Sequence, residues 1–245
     1  MKLAFISDVH ENPETLKTAI LKIEKLYCDE IVCLGDITGF SKRFYNLTTA
    51  PDANECVRII KQNCKYTIAG NHDLHSIGKL SEYHKIKKLP ENWYDLPLRE
   101  RIKIDPAIWH YSDELVPKLD ENSKEFLNSL PEKIFVQIDQ VNYLFTHFIF
   151  PDITGSTNYF PQKSKDFERH FNFMNEENFL FSFAGHGHIP GFFLVHENKT
   201  RNYDFGTKKL DFKKQIIIQP SISAPIRGFC TYDTKTREFS AIKIS

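Results

Sequence analysis

Gly70-Asn71-His72-Asp73 closes the run Lys65-Tyr66-Thr67-Ile68-Ala69, and its reading orders the rest of the chain. Lys65 to Ile68 has the pattern of a short strand, so three side chains able to ligate metal or carry protons stand at a strand end. Average residue usage gives this tetrapeptide on the order of once per thousand chains of this length. Four more segments repeat the arrangement. Asp8-Val9-His10 follows the apolar run Leu3 to Ile6, and Gly35-Asp36 follows Ile31 to Leu34. Thr146-His147 follows Tyr143 to Phe145, and Gly185-His186-Gly187-His188 follows Phe181 to Phe183. Ligands of open α/β sheets bind outside the carboxyl ends of the strands, so all five segments are expected on one edge.

Singly, most of these signals are weak. Asp-x-His occurs by chance, Gly-Asp is a common turn dipeptide, and a lone histidine after an apolar strand is more often a hydrogen-bonded core residue. Gly-His-Gly-His is more specific, because the glycines allow a tight turn that aims two imidazoles at one point. The conjunction of five such segments, each at a strand end, is what argues for a site.

Outward from these segments the first half alternates strand and helix. Lys2 to Ile6 reads as a strand, and Leu16, Ala19, Ile20, Ile23 and Leu26 have helical spacing, with Asn12 as N-cap and Pro13 as first helical residue. A strand at Glu30 to Leu34, a helix around Asn54 to Gln62 and the strand Lys65 to Ile68 follow, which implies parallel crossovers. In the second half, Ile134 to Ile138 and Val141 to Phe145 flank Asp139-Gln140 as a hairpin. Further strands are expected at Phe179 to Phe183, Gln215 to Gln219, Phe229 to Tyr232 and Glu238 to Ile244. Residues 74 to 131 lie between the halves with an amphipathic helix near Glu121 to Leu130, so the chain reads as one domain, 1–245, with an inserted helical segment or cap. It shows no internal repeat.

The composition, 41% hydrophobic and 26% charged, is that of an ordinary globular protein. With 32 basic and 32 acidic residues there is no global field to gather nucleic acid or anionic lipid. No apolar run approaches the ~20 residues that span a bilayer, and no signal sequence is evident, so a cytoplasmic protein without membrane attachment is expected. The five cysteines include no Cys-x-x-Cys pair and read as reduced core or near-core thiols.

Together the five blocks resemble the signature of the calcineurin-like metallophosphoesterase superfamily: Asp-x-His, Gly-Asp, Gly-Asn-His-Asp/Glu, His, and Gly-His-x-His. The segment from Asp105-Pro106 through Phe126 to Pro131 is similar to the helical segment of the small prokaryotic phosphodiesterase branch, and Gln219-Pro220-Ser221 resembles its late turn. The resemblance implies a four-layer α/β/β/α sandwich of two mixed β-sheets. It also implies that Asp8, His10, Asp36 and His188 hold one metal, and that Asp36, Asn71, His147 and His186 hold the other. A bridging hydroxide would then be the nucleophile, with Asn71 helping to stabilise phosphoryl charge and His72 donating a proton to the leaving oxygen. Imidazole and carboxylate ligands suit two divalent transition ions, manganese first, with iron, zinc, nickel or cobalt as alternatives.

The chain departs from the protein-phosphatase branch, having Gly39 three residues after Asp36 and Ala69 before Gly70, so the phosphate-clamping arginines and the histidine-orienting aspartate of that branch are missing. Arg43 and Arg227 lie near the motif loops and are candidates to meet a phosphate, while His75, His84, His110, His170 and His196 fall outside every block. The expected activity is hydrolysis of a small phosphodiester or phosphomonoester, nucleotides included. A nuclease acting on DNA or RNA ends is disfavoured by the neutral charge. A non-catalytic protein-binding scaffold of the same fold is disfavoured by the retention of every ligand. A homo-oligomer is compatible with the sequence.

Overall fold

The computed structural model describes residues 1–244 other than 46, 48, 85, 86, 197 and 198. Strands and helices are numbered in chain order. One six-stranded sheet runs β11 (Gly206–Lys209), β14 (Glu238–Lys243), β13 (Gly228–Asp233), β1 (Lys2–Ile6), β2 (Glu30–Cys33) and β4 (Tyr66–Thr67). The other runs β10 (Lys199–Tyr203), β9 (Phe192–His196), β12 (Gln215–Ile218), β8 (Phe181–Ala184), β7 (Val141–Thr146) and β6 (Lys133–Ile138). Both are mixed: β1, β2 and β4 are parallel in the first and β7, β8 and β12 in the second, while the remaining pairs are antiparallel.

The period-two alternation of the central strands decides the layering. In β1, Leu3 and Phe5 face the second sheet, where they meet Tyr143, Phe145, Phe181 and Phe183. Ala4 and Ile6 face the other way, onto the apolar stripes of α1 (Pro13–Lys25) and α2 (Ala53–Asn63) and onto Leu127 of α6 (Glu121–Ser129). On the far side, Leu144, Ala184, Ile216 and Ile218 pack against Phe173 and Met174 of α7 (Glu168–Glu176). The result is helices, sheet, sheet and helix, with an aromatic core between the sheets.

The local chemistry of the first half places its elements as expected. Asn12 accepts the amide of Thr15 at 3.0 Å, and Pro13 opens α1. The β6–β7 hairpin turns through Asp139 and Gln140 at φ 50° and 64°, the left-handed pair that a tight two-residue hairpin needs.

The segment 74–131, of which 85 and 86 lie outside the described residues, contains the second half of α3 (Asn71–Ser76), then α4 (Leu80–Tyr83), α5 (Leu98–Ile104), β5 (Glu114–Leu115) and α6. It is less helical than expected, since α5 ends at Ile104 and residues 105 to 120 run without a helix until α6. It also adds to the core, burying Leu80, Leu89, Trp93 and Ile108 alongside α1 and α2. Its strand β5 pairs with β3 (Phe40–Ser41), setting Glu114 opposite Ser41. This ribbon ties the segment to the loop after β2.

Candidate metal centre

The loops after β1 and β2 are stitched by backbone hydrogen bonds: the amides of Asp8, Val9 and His10 donate to the carbonyls of Gly35, Asp36 and Asp36 at 3.0, 2.7 and 3.1 Å. The loops after β7 and β8 are joined by the amide of Gly185 donating to His147 O at 2.9 Å. The two pairs meet where the amide of His186 donates to Asp8 Oδ2 at 3.0 Å. The turn after β12 closes the ring, with Ser221 Oγ donating to Asp8 O at 3.0 Å and Ser223 Oγ to Val9 O.

Inside this ring Asp8, His10, Asp36, His186 and His188 have φ of 56°, 46°, 55°, 61° and 46°. Left-handed backbone at a non-glycine residue costs on the order of 1–3 kcal/mol and persists only where its surroundings dictate it. Such strain concentrates here on the residues whose side chains must turn inward. Gly70 explains the first letter of its motif, since any Cβ there would collide with the Asp36 carboxylate.

Ligand atoms of Asp8, His10 and His188 gather in one group, and those of Asp36, His147 and His186 in a second, each with all separations within 4.8 Å. A third group of His10, Asp36 and His72 lies between them. In the first group His188 Nε2 stands 3.1 Å from Asp8 Oδ1 and 3.2 Å from His10 Nε2. In the second His147 Nε2 stands 3.1 Å from Asp36 Oδ2 and 3.2 Å from His186 Nδ1. Outer hydrogen bonds set two of the tautomers. His10 Nδ1 donates to Gly39 O at 2.9 Å and His147 Nδ1 to Leu34 O at 2.6 Å, which turns both Nε2 atoms inward as lone pairs in the neutral rings. Asn71 donates an amide N–H to Tyr111 Oη at 3.0 Å, and its Oδ1 is buried with no partner among the described residues. Facing lone pairs and an orphaned carbonyl oxygen need a positive centre, and this donor set fits a divalent transition metal.

The electrostatics agree. Burial alone would raise the Asp8 and Asp36 carboxyls, yet the surrounding histidines outweigh it and hold both below the ordinary range. Burial, with His72 beside it, lowers His10 to about 3 and so favours the neutral imidazole that ligates metal. His147 shows the opposite balance. Burial lowers it, but Asp36 and Asp8 lift it to about 9, so a proton held there competes with a cation for the same lone pair. Asp73 carries no ligand role in this geometry: its Oδ1 accepts the amides of Ile37 and Thr38 and its Oδ2 that of Gly70, which clamps the two loops beside Asp36.

His72 stands at the mouth of this centre, its Nε2 3.9 Å from Asp36 Oδ2. Its amide donates to Asp36 Oδ1 at 2.9 Å. On the other side of the ring, Nδ1 is 2.6 Å from Glu114 Oε2, with Glu114 supplied by β5 of the inserted segment. The sequence shows no aspartate at the expected position to orient His72, and Glu114 fills that place from 42 residues away. Burial lowers His72, but Asp36 and Glu114 together raise it to about 9. Against burial, His72 holds Glu114 down at about 2.

Neither arginine singled out in the sequence lines the cleft above the centre. Arg227 donates to Thr15 Oγ1 at 3.0 Å, and Arg43 lies over the Phe44 ring at 5.3 Å. His75 stacks on Tyr111 at 4.1 Å, close to the site although outside every motif. His84 sits in a buried chain, 2.7 Å from Ser156 Oγ and 3.2 Å from Asp105. Ser156 Oγ also bonds Asp152 and is fully buried, so this Ser–His–Asp row braces the loop of Gly155 against His186 rather than presenting a nucleophile. His170 is a core residue, with Nδ1 accepting the amide of Phe150 and Nε2 beside Ser182 Oγ. The five cysteines are unpaired, and burial raises their thiols.

Two stacked mixed sheets with paired histidine–aspartate groups at their shared edge are the fold and site of the metallophosphoesterase type, and the family match makes the chain a phosphoester hydrolase. The chain belongs to the calcineurin-like phosphoesterase superfamily, whose domain model matches residues 1–203. It is 27% identical over 267 residues to the uncharacterized protein MJ0912 of Methanocaldococcus jannaschii, covering 99% of this chain and 86% of that one. Its fold is similar to that of a metallophosphoesterase from Sphaerobacter thermophilus, with TM-score 0.69, 19% identity, and coverage of 100% of this chain and 88% of the other. It is also similar to the hypothetical protein PH1004 of Pyrococcus horikoshii, with TM-score 0.62, 16% identity and the same coverages of 100% and 88%. No helix among the described residues is long and apolar enough to cross a membrane.

Proposed function

We propose that this chain is a binuclear metal-dependent hydrolase of small phosphoesters, nucleotides included, working as one domain with residues 74–131 as a cap over its site. The observation that carries the reading is the pair of ligand groups, Asp8 with His10 and His188, and Asp36 with His147 and His186, set with lone pairs facing and Asn71 Oδ1 left without a partner among the described residues. Asp36 is the residue placed to serve both sides, being also grouped with His10 and His72. Asp8, His10 and His188 on one side and Asp36, Asn71, His147 and His186 on the other would hold two divalent cations, which would supply Lewis acidity toward phosphoryl oxygens and water.

The remaining work falls to the chain. His72, fixed through Nδ1 by Glu114, turns Nε2 toward the centre and holds a proton there for a departing alkoxide. Glu114 positions the ring and keeps it protonated. Tyr111 fixes the Asn71 amide so that its oxygen, and not its nitrogen, points at the ligand groups. The cleft carries no lysine or arginine among its described lining residues, which suits a small ester better than a polyanion.

Exhaustive chelation is expected to abolish turnover, and manganese to restore it better than magnesium, because magnesium prefers oxygen ligands and this site offers four imidazoles. Undiminished hydrolysis by protein shown by elemental analysis to be metal-free would refute the reading.

A further inference from the structure

Above the candidate centre lies a cleft of about 390 Å³, near the lower end of the range for small-molecule sites. Its walls carry Phe44, Tyr45, Trp109, Tyr111 and Phe160, with Asp113 among them. Three of these rings have evident packing partners. Tyr45 stacks on His10 with centroids 4.4 Å apart, Phe160 on His186 at 5.2 Å, and Tyr111 on His75 at 4.1 Å. Phe44 and Trp109 stack on no ligand. Phe44 is 57% exposed, with Arg43 over its ring, and Trp109 meets Phe160 only edge-on, at 6.4 Å and 73°. A large aromatic side chain left exposed beside a reactive centre invites a flat partner.

The charges of the cleft point the same way. Its described lining contains carboxylates at Asp36, Asp113 and Glu114 and no lysine or arginine. Attraction for a phosphate is therefore concentrated at the ligand groups. The rest of the wall suits a neutral flat body with N–H groups on its edge. Asp113 Oδ2 already accepts Ser41 Oγ at 3.0 Å, which fixes that carboxylate on the wall as a further acceptor.

We propose that this cleft is a base-binding subsite, which seats the amino-bearing nucleobase of a nucleotide ester against Phe44 and Trp109 while the phosphate lies over the metal ligands. The inference deepens the hydrolase reading and rests on it for the position of the phosphate. Two parts of the chain build the subsite: Phe44 follows β3, and Trp109 comes from the inserted segment. The segment thereby selects the substrate, in addition to supplying Glu114.

The test uses manganese-loaded protein and two non-hydrolysable phosphonates in which a methylene replaces the ester oxygen, the analogues of adenosine 5′-phosphate and of ribose 5-phosphate. They share charge and sugar and differ only in the base. Calorimetry is expected to show tighter binding of the adenosine analogue by about ten- to a hundred-fold, the range for stacking one base on aromatic side chains. Phe44→Ala and Trp109→Leu should each shrink that ratio toward one, and the exposure of Phe44 keeps its truncation from threatening the fold. Equal affinity of the two analogues for the unmodified protein, or a ratio unmoved in both variants, would overturn the subsite. Turnover of bis(4-nitrophenyl) phosphate by the same preparation separates the two claims. If that diester or the monoester 4-nitrophenyl phosphate is hydrolysed while the analogues bind equally, the subsite alone is wrong; if neither is hydrolysed while the base preference holds, the hydrolase reading fails and the base preference stands.

Discussion

His72 holds its ring between two carboxylates, Glu114 at 2.6 Å and Asp36 at 3.9 Å; it gathers with His10 and Asp36, but lies outside the Asp8–His10–His188 and Asp36–His147–His186 groups assigned to the metals in the proposed centre. Its loss should therefore spare the metals and slow the chemistry. His72→Ala is expected to reduce turnover of esters with poorly leaving alcohols by about two to four orders of magnitude, and that of nitrophenyl esters far less. An equal loss on both would show that the ring positions phosphate instead. The pH dependence follows from the partners. In the metal-free protein His72 lies at about 9, above the ordinary 6.5, because Asp36 and Glu114 outweigh burial; cations held at Asp36 would offset its share, leaving Glu114 as the charge that keeps the proton-donating form until pH rises through the folded value. Glu114→Gln removes one of the two raising charges. The alkaline limb of the pH–rate profile should consequently move to lower pH, while metal content measured by elemental analysis stays unchanged.

At the scale of elements, the site is a set of strand ends held in place by the turn after β12. Ser221 Oγ donates to Asp8 O and accepts the amides of Ser223 and Ala224 at 2.9 and 3.0 Å, all within the protein interior. Ser221→Ala strands those buried groups at a cost of about 1–3 kcal/mol. It should also loosen the Asp8–His10 loop, seen as a lower melting temperature together with weaker retention of metal on dialysis. A melting temperature unchanged from the parent would show that the turn does not brace the loop. Elements with strong local signals were legible in the sequence: Asn12 and Pro13 mark the start of α1, and apolar runs mark β1, β7 and β8. The strands β9, β10 and β11 escaped notice. β10 and β11 are polar and largely exposed edge elements, Lys199–Tyr203 and Gly206–Lys209, whose residues lack the alternation that betrays a half-buried strand.

Across the whole molecule, the site exists because two sheets are stacked in one register. Phe5 of β1 and Phe183 of β8 stack at 4.5 Å between the sheets, and each lies three residues before a candidate ligand, Asp8 and His186. The seven candidate ligands were visible in the sequence because each sits in a short motif at a strand end. Glu114, Trp109 and Tyr111 were not, since they stand in no motif and reach the site only through the β3–β5 pairing and the long path of the inserted segment. The most direct test of the central claim is anomalous diffraction at the manganese edge from crystals of reconstituted protein. Two peaks about 3.5–4 Å apart, with Asp36 in contact with both, are the expected result. A single peak, or a pair that Asp36 does not join, would contradict the account.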